Sequence, residues 1–207
     1  MNPSPEGSRF LSKSQFFRGT RCSKAWKLFW SYSELKTSRL DNHDVFQIAS
    51  KEISLKARQR FPLGEEITGN TEQKLSKTLQ AVQNKTPTIY NARFQRDKVS
   101  VSVDILKFEK NAWKLILVKS ASKQKRKHIR EAALQLNILK SNGLSISSAN
   151  LLHVNTSYIL EDKLDLNDFF TEIDITELAL NLQAKLDGKF IALNDTLNNQ
   201  IPEVEIG

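Results

Sequence analysis

The stretch VSVDILKFEKNAWKLILVKSASKQKRKH, residues 101–128, decides the fold. Its first part is rich in β-branched residues, and WKLILVK (113–119) is apolar on both faces, which is typical of a central strand covered by helices. The EKNA segment between the two predicts a hairpin turn. The hairpin would carry Asp104 on its first strand and Lys119 at the end of its second.

Elements on either side of this hairpin complete the predicted fold. TIYNARFQ (88–95) predicts a strand before it, and helical spacing of apolar residues predicts helices over 44–60, 72–83 and 128–140. SSANLLHVNTSYI (147–159) predicts a fourth strand. The β-β-β-α-β order predicts an α/β sandwich with a central mixed sheet flanked by helices. We expect residues 1–10 to be disordered, 11–160 to form the core, and 161–207 to form a C-terminal helical extension packed on it.

Composition indicates a globular protein without a membrane segment. The 207 residues are 39% hydrophobic and 26% charged. No apolar run approaches the roughly 20 residues of a membrane span, and the N-terminus has no apolar signal core, so we expect a cytoplasmic protein. Residues 1–159 hold 28 Lys and Arg against 12 Asp and Glu, whereas 160–207 hold 3 against 11. A basic body is compatible with a polyanionic partner.

Several short patterns, taken in order, carry a resemblance. They are LSKSQFFRGTRCSKAWKL (11–28), FPLGEEI (61–67), VDIL (103–106), VKSASKQKRKHIREAALQ (118–135) and IPEVEIG (201–207). In this order the chain resembles the N-terminal part of a bacterial family of uncharacterised function in the PD-(D/E)XK nuclease superfamily. That family is related to the RecB-like nucleases associated with CRISPR systems. The resemblance implies a restriction-endonuclease-like sandwich.

The resemblance also implies positions for catalytic residues. Asp104 matches the aspartate of the second core strand, Lys119 matches the lysine of the Glu-x-Lys motif, and Gln135 matches a glutamine on the next helix. In such nucleases carboxylates hold Mg²⁺ or Mn²⁺, which activates water. Residues two apart on a strand share a face, so the Glu and Lys of the motif both point into the cleft. Asp104 alone would be a weak metal ligand.

Three positions depart from the pattern that the resemblance implies. Leu117 stands at the glutamate of Glu-x-Lys, Leu55 stands at a helical glutamate, and Asn91 stands where a glutamate is common. A leucine offers no oxygen to a metal, so we expect a degenerate domain without catalysis, in which Asp104 and Lys119 remain as an ion pair. The alternative is an active nuclease dependent on Mg²⁺ or Mn²⁺, in which Glu52 or Glu131 supplies a displaced carboxylate.

The single cysteine departs from the family as well. In related proteins an early cysteine joins three late ones around an iron–sulfur cluster, which normally needs four thiolates. Here Cys22 is alone in the sequence. We expect no cluster within this chain, and we expect Cys22 to be a small buried thiol.

Two further segments suggest partners. A basic run after the hairpin predicts non-specific binding of DNA or RNA through phosphates. Its residues are Lys123, Lys125, Arg126, Lys127, His128 and Arg130. The second segment is an apolar stripe of the C-terminal helix, running from Leu178 to Leu197. This stripe must bury against the same chain or against a partner, and a partner would make the domain a protein-interaction module.

Overall fold

A computed structural model describes residues 9–31, 43–160 and 162–199, with the side chains of 43–47 left out. Most of the predicted disordered segment 1–10 and the IPEVEIG pattern therefore lie outside the described residues. The helices are α1 (Lys13–Gly19), α2 (Ser23–Ser31), α3 (His43–Gln59), α4 (Thr71–Gln83), α5 (Arg126–Ser141), α6 (Leu166–Phe169) and α7 (Thr176–Asn198). The strands are β1 (Glu65–Glu66), β2 (Thr88–Arg96), β3 (Val99–Glu109), β4 (Ala112–Lys119), β5 (Ile146–Val154) and β6 (Phe170–Asp174).

The six strands form one mixed sheet in which they lie in chain order. The β1–β2 and β4–β5 pairs are parallel, and the other three pairs are antiparallel. Because parallel neighbours need a crossover, α5 leaves the end of β4 and returns the chain to the start of β5. The fold confirms the predicted α/β sandwich with a mixed sheet, flanking helices and a C-terminal helix.

Helices cover both faces of this sheet. One face packs against α5, α7 and the two N-terminal helices, and the other packs against α3 and α6. Strand β4 is buried on both sides: Leu115 and Leu117 join the α5 side, while Ile116 and Val118 join the α3 side. This double burial explains why WKLILVK lacks the alternation of a half-exposed strand.

The segment after residue 160 contributes to the sheet as well as to the helices. Strand β6 pairs with β5 from Asn150↔Asp174 to Val154↔Phe170 and so forms one edge of the sheet. Helix α7 then packs on α2 and α5, and the ring of Phe190 lies 4.9 Å from that of Phe16. The central part of the apolar stripe is thus covered by the same chain, and the sheet continues past the predicted boundary.

The two N-terminal helices pack closely against each other. Ser12 caps α1 as part of a capping box with Gln15, and the Trp26 indole N–H donates to the Phe16 carbonyl over 2.9 Å. Between these helices Cys22 is exposed, which corrects the expectation of a buried thiol. It lies in the turn between α1 and α2, outside the faces by which the two helices pack. Among the described residues, no helix is long and apolar enough to cross a membrane.

Candidate functional site: a charged cluster beside a basic helix start

Asp104 lies where the pairing of β3 with β4 ends and where its pairing with β2 is interrupted. The β3–β4 pairing ends at Ile105↔Ile116, and beyond it the Asp104 carboxylate accepts the Val118 main-chain N–H over 2.9 Å. On the other side, Asn91 and Asp104 are left out of the β2–β3 pairing. The side chain of Asp104 therefore replaces a main-chain acceptor at a break in the sheet.

Lys119 ends β4 on the face that α5 covers. Its Nζ lies 3.6 Å from Oδ2 of Asp104 and 2.9 Å from Oε1 of Glu131, which is on α5. The same Glu131 oxygen is also bound by Nζ of Lys13, at the start of α1. The four side chains form a chain of alternating charge that connects α1, α5, β4 and β3.

Burial and charge act in opposite directions on the pKa values of this cluster. Burial alone would raise the pKa of Glu131, but Lys119 and Lys13 outweigh it and hold that pKa below its ordinary value. Burial alone would lower the pKa of Lys119, but the carboxylates of Asp104 and Glu131 raise it above its ordinary value. Both groups are therefore charged at neutral pH.

The three positions at which the resemblance implies an acid, but the chain has none, lie in three different surroundings. Leu117 is fully buried in the core beneath α5, so its methyl groups fill a space that is closed to solvent. Leu55 is 47% exposed on α3, on the opposite face of the sheet. Asn91 sits on β2 with a φ of 56° and donates from its amide to Glu66 over 2.9 Å. Asparagine tolerates this left-handed conformation better than most residues do.

The two acids considered as replacements differ in their placement. Glu131 joins Asp104 and Lys119, as described above. Glu52 is exposed on α3 and makes no ion pair within the described part of the chain. Gln135 is buried and donates to the Ser102 carbonyl over 2.9 Å, so it supports β3, and it forms no hydrogen bond with Lys119 or Asp104.

These residues, as placed, do not fit a divalent cation. The described residues contain no group of three or more His, Cys, Asp or Glu side chains that would hold a metal. Mg²⁺ can be bound by one or two carboxylates with substrate oxygens. Here, however, the Lys119 ammonium binds both Asp104 and Glu131, and Lys13 binds Glu131 as well. A cation would first have to displace these lysines.

A basic surface begins next to Lys119. Lys123, Lys125, Arg126 and Lys127 are exposed around the first turn of α5, which contains no acidic residue. Arg130, one turn later, places its guanidinium carbon 4.7 Å from the centre of the Phe17 ring. None of these five cations forms an ion pair with the carboxylates that the structure describes. We call these five residues the α5 basic surface.

His128 does not belong to this surface, which corrects its predicted role in binding nucleic acid. Its side chain is only 2% exposed, and its Nδ1 accepts the main-chain N–H of Lys125 over 3.2 Å. Burial, together with the charges of Lys119 and Lys127, lowers the pKa of His128 to about 4. The buried, neutral imidazole closes the first turn of α5 and is covered from any phosphate at the surface.

Lys13 is the cluster residue that sequence reasoning missed. It lies in the LSKS pattern at the start of the chain, and 118 residues separate it from Glu131. Neither its spacing nor its neighbours in sequence indicate this contact, because the contact depends on how α1 packs beside α5.

The fold and the site together define an α/β sandwich with a paired-charge cluster at the start of a basic helix. No protein-family model and no curated protein matches this chain. The resemblance to the PD-(D/E)XK superfamily therefore stays a prediction.

Proposed function

We propose that this domain binds DNA or RNA through the phosphate backbone, without reading sequence and without cleaving the strand. The observation that carries the proposal is the α5 basic surface, whose cations have no carboxylate partner within the described residues. Like charges on neighbouring residues repel each other, and a polyanion relieves that repulsion.

The position of these cations on α5 strengthens the argument. The N-terminal end of a helix carries a partial positive charge, so basic residues there are unfavourable without an anion. The first turn of α5 holds Arg126 and Lys127 and no acid. Main-chain N–H groups at a helix start also bind phosphate oxygens. Side chains and helix end thus favour the same ligand.

The neighbouring cluster supports binding without cleavage. Both carboxylates beside Lys119 are bound by ammonium groups, which leaves the cluster close to neutral. The residue two before Lys119 is Leu117, which is part of the core. The surface therefore attracts phosphate without the acidic ligands that metal-dependent cleavage requires.

A fluorescence anisotropy titration tests the proposal. Labelled duplex and single-stranded DNA and RNA are titrated with the protein from about 50 to 200 mM salt, and we expect affinity to fall steeply with salt. Replacing Lys123, Lys125 and Lys127 by Gln should lower the slope of log K against log salt by up to about 0.9 per lysine removed. The matched control replaces Lys74, Lys77 and Lys110, which lie on α4 and in the β3–β4 turn.

Two results would contradict the proposal. One is the absence of measurable binding at the lowest salt concentration with all four probes. The other is an equal loss of affinity in the α5 variant and in the control, which would indicate a response to net charge alone.

A second candidate is divalent-metal-dependent cleavage with Glu131 as the displaced acid. It rests on one observation, that Glu131 and Asp104 both lie beside Lys119, and it requires a metal ion to displace Lys119 and Lys13 from these carboxylates. Supercoiled plasmid incubated with the protein and Mn²⁺ tests this candidate. Nicking that is lost in Glu131→Gln would support it, whereas plasmid that stays intact at high protein concentration dismisses it.

A further inference from the structure

A pocket of about 190 Å³ lies between the end of α1, one side of α5 and the middle of α7. Its apolar part contains two buried side chains, Ala133 and Leu186, together with the partly buried Phe17 and Leu182. Its charged part consists of Arg126, Arg130, Lys185 and Lys189. We call it the α1–α5–α7 pocket.

The charge of this pocket is positive and unbalanced. Among the residues that the structure describes, no acid lines it and none of its four cations pairs with a carboxylate. The neighbouring acids are engaged elsewhere: Asp187 binds Arg96 over 2.6 Å, and Glu131 binds Lys13 and Lys119. Arg130 is held in place by the Phe17 ring that its guanidinium covers.

We infer that this pocket binds a phosphomonoester that carries an apolar or aromatic group. A phosphomonoester bears a charge of about −1.5 to −2 at neutral pH, whereas a backbone phosphodiester bears one negative charge. Four cations around a small space therefore favour the monoester. The apolar side chains beside them would contact the attached ring.

The size of the pocket limits how much of the ligand it encloses. Its 190 Å³ is below the roughly 300–1,000 Å³ of typical small-molecule sites, so it receives one end of a ligand. A free nucleoside monophosphate and the 5′-phosphorylated end of a strand share this chemistry. The inference goes beyond the proposed binding of backbone phosphates, because Lys185 and Lys189 lie outside the α5 basic surface.

Isothermal titration calorimetry tests this inference with AMP, adenosine and inorganic phosphate. We expect AMP to bind, phosphate to bind more weakly and adenosine not to bind measurably. In the variant Lys185→Gln/Lys189→Gln the affinity for AMP should fall at least about tenfold, because two charge-assisted hydrogen bonds are lost. The control Lys74→Gln/Lys77→Gln should bind AMP as the unmodified protein does, and thermal melting should confirm that both variants are folded.

A pair of single-stranded 12-nucleotide DNAs, one with a 5′-phosphate and one with a 5′-hydroxyl, identifies the source of the phosphomonoester. A preference for the phosphorylated strand that disappears in the Lys185/Lys189 variant assigns the pocket to strand ends. AMP binding without this preference assigns it to the free nucleotide.

Either of two results overturns the inference. The first is that AMP fails to bind at millimolar concentration and the two strands bind equally. The second is that AMP binds equally well to the Lys185/Lys189 variant. Either result would leave the proposed function standing, because the Lys123/Lys125/Lys127 variant tests duplex binding without changing a residue of the pocket.

Discussion

The carboxylate of Glu131 on α5 lies 2.9 Å from the ammonium of Lys119 and also accepts a hydrogen bond from the ammonium of Lys13. A single carboxylate, 12% exposed, thereby links the first helix of the chain to the central strand. It lies in the part of the domain where the resemblance implies a glutamate on β4 itself. In the structure the carboxylate of Glu131 on α5 pairs with Lys119, and Leu117 is part of the core.

The first prediction concerns the stability that this link provides. Glu131→Ala leaves Lys119 largely buried with Asp104 as its remaining partner, and it removes the partner of Lys13. We expect the free energy of unfolding to fall by about 2–3 kcal/mol. Urea denaturation followed by circular dichroism measures this. The control Glu109→Ala removes an exposed ion pair with Lys107 and should lower the free energy of unfolding by less than about 1 kcal/mol. Equal losses in the two variants would show that Glu131 stabilises the fold no more than an exposed ion pair does.

The second prediction concerns pH and His128. In the unfolded chain this imidazole takes up a proton near pH 6.5, whereas the folded protein resists protonation until about pH 4. Stability is therefore lost as the pH falls below 6.5, by about 2 kcal/mol at pH 5. Urea denaturation at pH 7.5 and pH 5 measures the loss.

The matched control is His128→Asn, which keeps an acceptor for the Lys125 N–H and does not titrate. For this variant the free energy of unfolding should fall less between pH 7.5 and pH 5 than it does for the unmodified protein. The difference between the two losses should be about 2 kcal/mol. An identical pH response of the two proteins would contradict the assigned role of His128.

The third prediction tests whether position 117 can hold the acid that the resemblance implies there. Leu117→Glu places a carboxylate among apolar side chains beneath α5, so we expect it to destabilise the fold by about 3 kcal/mol or more. Leu117→Met keeps the volume and should cost less than about 1.5 kcal/mol. Thermal melting compares the two variants. A Leu117→Glu protein as stable as the Met variant would mean that this position opens to solvent.

The fourth prediction concerns the close approach of α1 and α2. A Cβ atom at Gly19 would lie 1.8 Å from Cδ1 of Trp26, whereas one at Gly188 on α7 would meet nothing within 4 Å. We expect Gly19→Ala to destabilise the protein by about 2 kcal/mol through displacement of the buried indole.

Gly188→Ala serves as the control and should stabilise the protein by up to about 1 kcal/mol, because alanine has the higher helix propensity. Tryptophan fluorescence in a denaturant titration reports both changes. Equal midpoints for the two variants would show that the indole moves aside without cost.

The part of the fold that depends on local pattern was predictable from sequence. The apolar run ending at Lys119, the EKNA turn and the spacing of the helices predicted the central strands, α5 and the sandwich, all of which the structure contains. Short strands carry too few residues for a pattern. For this reason β1, with two residues, and β6, with five, were missed.

The site was less predictable, because its contacts join distant parts of the chain. Spacing along α5 suggested Glu131 as a replacement acid, and the structure places it beside Lys119. Lys13 gave no such signal. His128 was grouped with its basic neighbours, although the turn of the helix directs it inwards. A run of charged residues does not reveal which member points into the core.

The hydrogen bond from the Val118 N–H to the Asp104 carboxylate gives this side chain a structural role. Because a main-chain N–H within the fold needs an acceptor, an oxygen at position 104 supports the end of the β3–β4 pairing whether or not the residue takes part in any chemistry. The leucine side chains at positions 117 and 55 accept no hydrogen bond, so neither has a role of this kind. Asp104→Asn keeps an acceptor for the Val118 N–H while removing the charge, and it therefore separates the contribution of this side chain to the sheet from any effect of its charge.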